Sequence, residues 1–147
     1  MTLLVEDTQW SDDAARSGIY PFALGGLEFV YFAKHRKYEV DIFQDIIAPY
    51  YQSGLQPLTW GRPLEASTCN GSFDIEAVQE LNVEEYSWKY TLEHSKWALG
   101  LERPLVCVGD LNRMDSQKRR GGGFFCLEDA ALHSAYSSLI KSVEPCP

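Results

Sequence analysis

Two short stretches carry groups able to act on a phosphate: Glu93-His94-Ser95-Lys96-Trp97 and Val108-Gly109-Asp110-Leu111-Asn112-Arg113. An imidazole is nucleophilic when neutral and acidic when protonated, with both forms accessible near working pH. In extended backbone, residues two apart face the same way, so His94 and Lys96 would set a nucleophile beside a fixed ammonium. Asn112, on the turn that ends an apolar run, offers an amide donor for a phosphate oxygen. A third stretch, Gln117-Lys118-Arg119-Arg120-Gly121-Gly122-Gly123, joins cations to glycines whose backbone amides can approach an anion. Alone, a His-x-Lys reads as a solvated strand edge, and Lys118, Arg119 and Arg120 read either as a solvated loop or as a phosphate cradle. Together with Gly-Asp-x-Asn-Arg the set becomes specific.

Positioning these residues requires a framework of strands and helices. Gly25–Ala33 alternates and is rich in Phe, Val and Tyr, which predicts a strand. Val40, Phe43, Ile46, Ile47 and Tyr50 recur at helical spacing and predict a helix over Tyr38–Tyr51, kinked near Pro49 and stopped by Gly54. Leu55–Trp60 reads as a strand, Gly61–Ser72 as a loop, and Asp74 as the cap of a short helix to about Leu81. Tyr86–Ala98 reads as one strand carrying His94 and Lys96 on a single face, followed by strands at Leu105–Val108 and Gly121–Leu127. Asp129 then caps a helix whose apolar stripe is Leu132, Ala135, Tyr136, Leu139, Ile140 and Val143. The order indicates an α/β domain, a mixed β-sheet flanked by helices.

Composition sets the outer bounds. The 147 residues are one domain by length, and 45% hydrophobic with 13% aromatic residues is enough for a core. The start, Met1–Trp10, lacks the basic end and long apolar run of a signal peptide, and no span approaches the roughly 20 apolar residues of a membrane helix. A net charge of -8 argues against a general nucleic-acid binder at neutral pH. The cations nevertheless cluster (Lys34, Arg36 and Lys37; Lys96; Arg113, Lys118, Arg119 and Arg120). An acidic working pH would also protonate carboxylates and charge histidines. Cys69, Cys107, Cys126 and Cys146 are far apart, without the close pair of a zinc site. Their even number suits two disulfides in a secretory chain, the other reading being four buried thiols. The sequon Asn70-Gly71-Ser72 leans toward the secretory reading, with Asn70 as its glycosylation site. His35 and His133 read as structural or surface residues.

The run from Glu93 to Cys126 resembles the C-terminal half of the deoxyribonuclease II family, acid endonucleases of lysosomes. The likeness reaches back through Phe32-Ala33-Lys34-His35-Arg36-Lys37 and Asp41-Ile42-Phe43 to Trp60 and Cys69, and forward to Pro145-Cys146. It divides the chain into a divergent segment, 1–24, and a family-like C-terminal domain, 25–147. That family in turn resembles the phospholipase D superfamily, which pairs two His-x-Lys motifs across one site; this chain carries one. The resemblance implies a phospholipase D-like half-fold and metal-independent, cofactor-free cleavage of DNA to 3′-phosphate ends through a phosphohistidine. It implies catalytic His94, Lys96 and Asn112, with Asp110, Arg113, Lys118, Arg119 and Arg120 toward the substrate. It implies disulfides Cys107–Cys126 and Cys69–Cys146, and a lysosomal or secretory location. Asp110 stands where the superfamily has serine, and Leu101 where it has an acid, with Glu102 adjacent. The missing motif implies a homodimer, a pairing with an absent N-terminal half, or an inactive half-domain that binds nucleic acid or a partner.

Overall fold

A hairpin opens the described chain. In the computed structural model, which describes residues 17–69 and 71–146, β1 (Ser17–Leu24) and β2 (Leu27–Lys34) pair antiparallel around Gly25 and Gly26. Both glycines have positive φ, +60° and +84°, the conformation that a two-residue hairpin turn demands. A π-helical turn, Phe43–Ile47, continues into α1, Ala48–Tyr51. The Asp41 carboxylate accepts from the Phe43 N–H at 2.9 Å and starts this helix later than the apolar spacing predicts. Pro49 lacks the N–H of a regular ladder, and here the Ala48 N–H bonds five residues back, to the Phe43 carbonyl.

The remaining elements are β3 (Leu55–Leu58), β4 (Val78–Val83), β5 (Tyr86–Lys89), a 3₁₀ turn (Tyr90–Leu92), β6 (Trp97–Gly100), β7 (Leu105–Gly109), α2 (Asp115–Lys118), β8 (Gly122–Glu128), α3 (Ala130–Ser137) and β9 (Ile140–Val143). Six strands form one sheet in the order β1-β2-β8-β7-β6-β3, and three form a second in the order β5-β4-β9. The strand pairs are antiparallel, and the parallel pairing described is the isolated bridge Leu55–Ile75. The domain is therefore mixed in helix and strand, as expected, but its sheets are mostly antiparallel.

Three further elements depart from the sequence reading. The helix expected from Asp74 to Leu81 is β4. A register shift between Val78 and Leu81 puts both residues in the core although they are three apart, so a bulged strand mimics helical spacing. The strand expected over Tyr86–Ala98 divides: β5 belongs to the small sheet, β6 to the large one, and the 3₁₀ turn and a loop cross between them. The last helix stops at Ser137, and β9 pairs with β4 instead of extending it. Part of its stripe packs as expected, because Tyr136, Leu139, Ile140 and Val143 join the core around Trp97, whereas Leu132 and Ala135 are exposed.

The large sheet buries different residues on its two faces, following the strand alternation. One face sets Phe32, Leu105, Cys107, Phe124 and Cys126 against Phe43, Ile46, Ile47 and Tyr51 of the helical segment, with the Phe43 and Phe124 rings 4.8 Å apart. The other face sets Leu58, Trp97, Leu99 and Val106 against the small sheet and α3. Fully burying a side chain such as Phe32 or Phe124 stabilises the fold by about 1.5–3 kcal/mol. On this second face the register aligns Tyr20, Tyr31, Phe125, Val108 and Trp97 in one row across five strands, beside Phe22–Phe29 and Leu24–Leu27.

Candidate active site

Register places the sequence-selected residues at one end of the large sheet. The C-terminal ends of β2, β7 and β3 and the N-terminal ends of β8 and β6 meet there, as the pairs Lys34–Gly122, Gly109–Phe124 and Leu58–Trp97 show. The Gly109 N–H donates to the Lys96 carbonyl at 3.0 Å, tying the His94 loop to the strand that leads into Asn112. The Arg113 N–H donates to the Thr59 hydroxyl at 2.9 Å, tying that turn to the end of β3. Gly109 has no room for a side chain, since a Cβ there would lie 2.3 Å from the Gly123 carbonyl oxygen.

His94 is exposed and lies in a loop, not in the strand its spacing suggests. Its ring sits 5.4 Å from that of Trp60, tilted by 49°. The Lys96 ammonium donates to the His94 carbonyl, so in this state it supports the loop. Glu93 is the residue that shapes this segment. Its carboxylate accepts from the Ser95 N–H at 2.9 Å and from the Trp88 indole N–H at 3.0 Å. Burial pushes the Glu93 carboxyl up, but bonds from Ser95, Trp88 and the His94 backbone outweigh it and hold the group below the usual carboxylate range. In a continuous strand Glu93 would point away from His94. The loop makes it a brace.

Asn112 turns its Oδ1 inward, buried and without a hydrogen-bond partner among the described residues. It lines a cavity of about 10 Å³ together with Glu65, Gln117 and Lys34. Asp110 accepts from the Gly123 N–H at 2.8 Å and so fastens the start of β8. Arg113 is placed differently from the substrate-facing position expected of it. It is 2% exposed, its Nε pairs with Asp41 at 2.7 Å, and its remaining nitrogens donate to Glu65, Ala66 and Thr68. The guanidinium is committed to the fold, because desolvation at this depth requires charge partners and hydrogen bonds together.

The basic turn is divided in the same way. Lys118 pairs with Glu65 at 2.8 Å, which raises its pKa by that hydrogen bond. Arg119 and Arg120 are exposed, with Arg119 in loose pairs to Glu39 and Asp115 at 3.9 and 3.7 Å. Lys34, read from sequence only as part of a cation cluster, is buried and donates to the carbonyls of Tyr38, Lys118 and Arg120 at 3.2, 2.6 and 2.7 Å. It anchors the turn that presents Arg119 and Arg120. Burial lowers its pKa, against the pull of Asp41 and Glu39.

Glu102 lies at the opposite end of the sheet, accepting from Ser53 and Gly54. His133 is also there, with Nε2 2.9 Å from the Gly100 carbonyl oxygen. His35 is exposed just beyond β2. Among the described residues no group of three or more His, Cys, Asp or Glu is placed to hold a metal, and no helix is long and apolar enough to cross a membrane. The two disulfides are those the resemblance implies, Cys107–Cys126 between register partners and Cys69–Cys146 across the chain. Asn70 and the start Met1–Trp10 lie outside the described residues.

The family model for Deoxyribonuclease II matches residues 3–146. Plancitoxin-1 of Acanthaster planci is 37% identical over 127 residues, which is 82% of this chain and 35% of that protein. Deoxyribonuclease-2-alpha of Rattus norvegicus is 36% identical over 126 residues, 82% of this chain and 36% of that protein. Cell-death-related nuclease 7 of Caenorhabditis elegans is 34% identical over 127 residues, with 82% and 34% covered. The chain spans about a third of the length of these curated relatives. With a family model matched over nearly its whole length, the chain belongs to the deoxyribonuclease II family.

Proposed function

We propose that this chain supplies one catalytic half of an acid endodeoxyribonuclease. The observation that supports the reading is the meeting of His94, Lys96 and Asn112 at one sheet end, in a chain of this family. In the reaction, the His94 imidazole attacks phosphorus and the bond to the 5′ oxygen breaks, with a second imidazole protonating that oxygen. The second imidazole then takes a proton from water, and hydroxide displaces His94, leaving a 3′-phosphate. Lys96 leaves the His94 carbonyl to meet a non-bridging oxygen, where its charge stabilises the transition state. Asn112 donates to the same phosphate, while Arg119 and Arg120 attract the neighbouring backbone. DNA is the substrate, and no metal or cofactor enters these steps. An acidic lysosomal or secretory compartment suits a chain of net charge -8, because carboxylate protonation reduces repulsion from DNA.

One feature favours a second reading, an inactive phospholipase D-like half-domain that binds nucleic acid or a partner. The chain has one His-x-Lys, and two of its expected substrate contacts, Arg113 and Lys118, pair with Asp41 and Glu65. Plasmid nicking near pH 5 separates the two. The nuclease reading expects nicks that persist in EDTA, carry 3′-phosphates and disappear in His94→Ala. Nicking that needs a divalent metal, or survives in His94→Ala, contradicts it. DNA retention without nicking supports the half-domain.

A further inference from the structure

Trp88 and Trp97 pack into the core around Leu58 and Val106. Trp60, two residues past the end of β3, belongs to neither core. It is half-buried, and among the described residues its ring meets that of His94, 5.4 Å away and tilted by 49°. The exposed Arg62 follows on the same loop, and among the described residues no carboxylate pairs with it. Hydrogen bonds fix this loop at both ends. The Arg113 N–H donates to the Thr59 hydroxyl at 2.9 Å, and the Glu65 N–H donates to the Arg113 carbonyl at 3.0 Å. The Arg113 guanidinium adds bonds to the Glu65 and Ala66 carbonyls at 3.2 and 2.6 Å. One buried residue of the Asn112 turn thus clamps the chain just before Trp60 and just after Leu64. What the clamped loop presents beside His94 is an aromatic face and a cation, the two groups that a base and its phosphate engage.

We propose that Trp60 and Arg62 form a nucleotide subsite beside His94, the indole stacking on an unpaired base and the guanidinium holding a phosphate next to the one that reacts. The inference rests on the nuclease reading for the identity of the reacting phosphate. Strand order gives the subsite its direction. β3 lies beside β6, while β8 lies two strands from β6 on the other side. Arg119 and Arg120, which lead into β8, therefore reach the backbone about 10 Å from β6, on the side opposite to Trp60. The nucleic-acid strand crosses the sheet end, held by cations alone on one side of the cut and through a base on the other. Neighbouring bases in a duplex cover each other's faces, so the subsite takes a base that is unstacked or single-stranded. The carboxylates of the adjoining loops are engaged elsewhere: Glu65 pairs with Lys118, and Glu93 is held by Trp88 and Ser95.

Fluorescence anisotropy near pH 5 tests the subsite without reference to activity. The probe is a fluorescein-labelled dodecathymidine whose phosphorothioate linkages resist cleavage, and the control is a strand of the same linkages and length without bases. The chain should bind the thymidine strand more tightly than the abasic one. Trp60→Ala should weaken the thymidine strand by about 5- to 150-fold, the stacking of one base, and leave the abasic strand unchanged. Trp60→Phe should keep most of the affinity. Arg62→Gln, at an exposed position, should weaken both strands and lower the slope of log affinity against log salt by about 0.7, one phosphate contact. Circular dichroism checks the fold of each variant, and the Arg62→Gln slope decides alone if Trp60→Ala does not fold. Equal loss of both strands in Trp60→Ala, or an unchanged slope in Arg62→Gln, overturns the subsite and leaves the nuclease reading standing. A chain that holds neither strand overturns both. Base-dependent binding that Trp60→Ala removes, in a chain that never nicks plasmid, keeps the subsite and removes the nuclease reading.

Discussion

His94 depends on residues that do no chemistry. Glu93 fixes the loop through Ser95 and Trp88, and Trp60 bounds the imidazole on one side. A carboxylate whose folded pKa is depressed contributes stability that is present above its unfolded value, about 4.3, and lost as pH falls through the lower folded value. The brace therefore stays intact near pH 5. The protection factor of the Ser95 amide, which corrects for base-catalysed intrinsic exchange, should be flat between about pH 7 and pH 5, higher than in Glu93→Gln, and should converge with that variant only below the ordinary carboxylate range. Identical exchange in wild type and Glu93→Gln near pH 5 would remove Glu93 from this role. At the chemistry itself, nuclease kinetics should separate two losses. In a complete two-motif enzyme carrying this half, His94→Ala should abolish cleavage, because the proposed reaction loses its bond-making group. Lys96→Ala should leave a residue of activity, because it removes charge stabilisation only.

At the level of elements, two buried cations hold the turns at the active end. Arg113 joins the Asn112 turn to Asp41 at the start of the helical segment and to the loop at 65–68. Removing one partner of such a pair leaves an uncompensated buried charge. Arg113→Ala should lower unfolding free energy by about 3–5 kcal/mol in urea titration; a loss under about 1 kcal/mol would mean that the pair is not held in solution. Lys34 holds the basic turn and the Tyr38 carbonyl. Lys34→Met should cost about 1–3 kcal/mol for the orphaned carbonyls and loosen 117–120 selectively, which limited proteolysis after Lys118 or Arg119 would detect. Cation clustering was legible in the sequence. The division into anchors (Lys34, Arg113) and exposed charges (Arg119, Arg120) was not, because it depends on which side of each turn faces the core.

Across the whole molecule, covalent links close what the sheets leave open. Cys107–Cys126 spans 19 residues and encloses Asn112 and the basic turn, while Cys69–Cys146 spans 77 and ties the loop after β3 to the end of the chain. By loop entropy these links stabilise the fold by about 3 and about 4 kcal/mol respectively. Peptide mapping without reductant should recover both pairs, and reduction should lower the melting temperature more than any single surface substitution. Four alkylatable thiols in native protein would contradict the pairing and the secretory location proposed with it.

The sequence by itself determined the family and which side chains are apolar enough to be buried. Those are properties of residue type and short-range order, and they hold whatever the chain pairs with. Tertiary structure decided the rest. Val78 and Leu81 have helical spacing yet lie on a bulged strand, because β9 offers them a partner. Leu139, Ile140 and Val143 continue a helical stripe yet form β9, because the edge of β4 satisfies their backbone. Tyr86–Ala98 alternates like one strand yet divides between two sheets, placing His94 on the loop between them. In each case side-chain periodicity was compatible with two backbones, and a hydrogen-bonding neighbour distant in sequence selected between them. The strand expected from Gly25 begins instead at Leu27, because Gly25 and Gly26 form the hairpin turn that pairs it with β1, and that pairing also fixes the row of side chains that the folded sheet leaves uncovered.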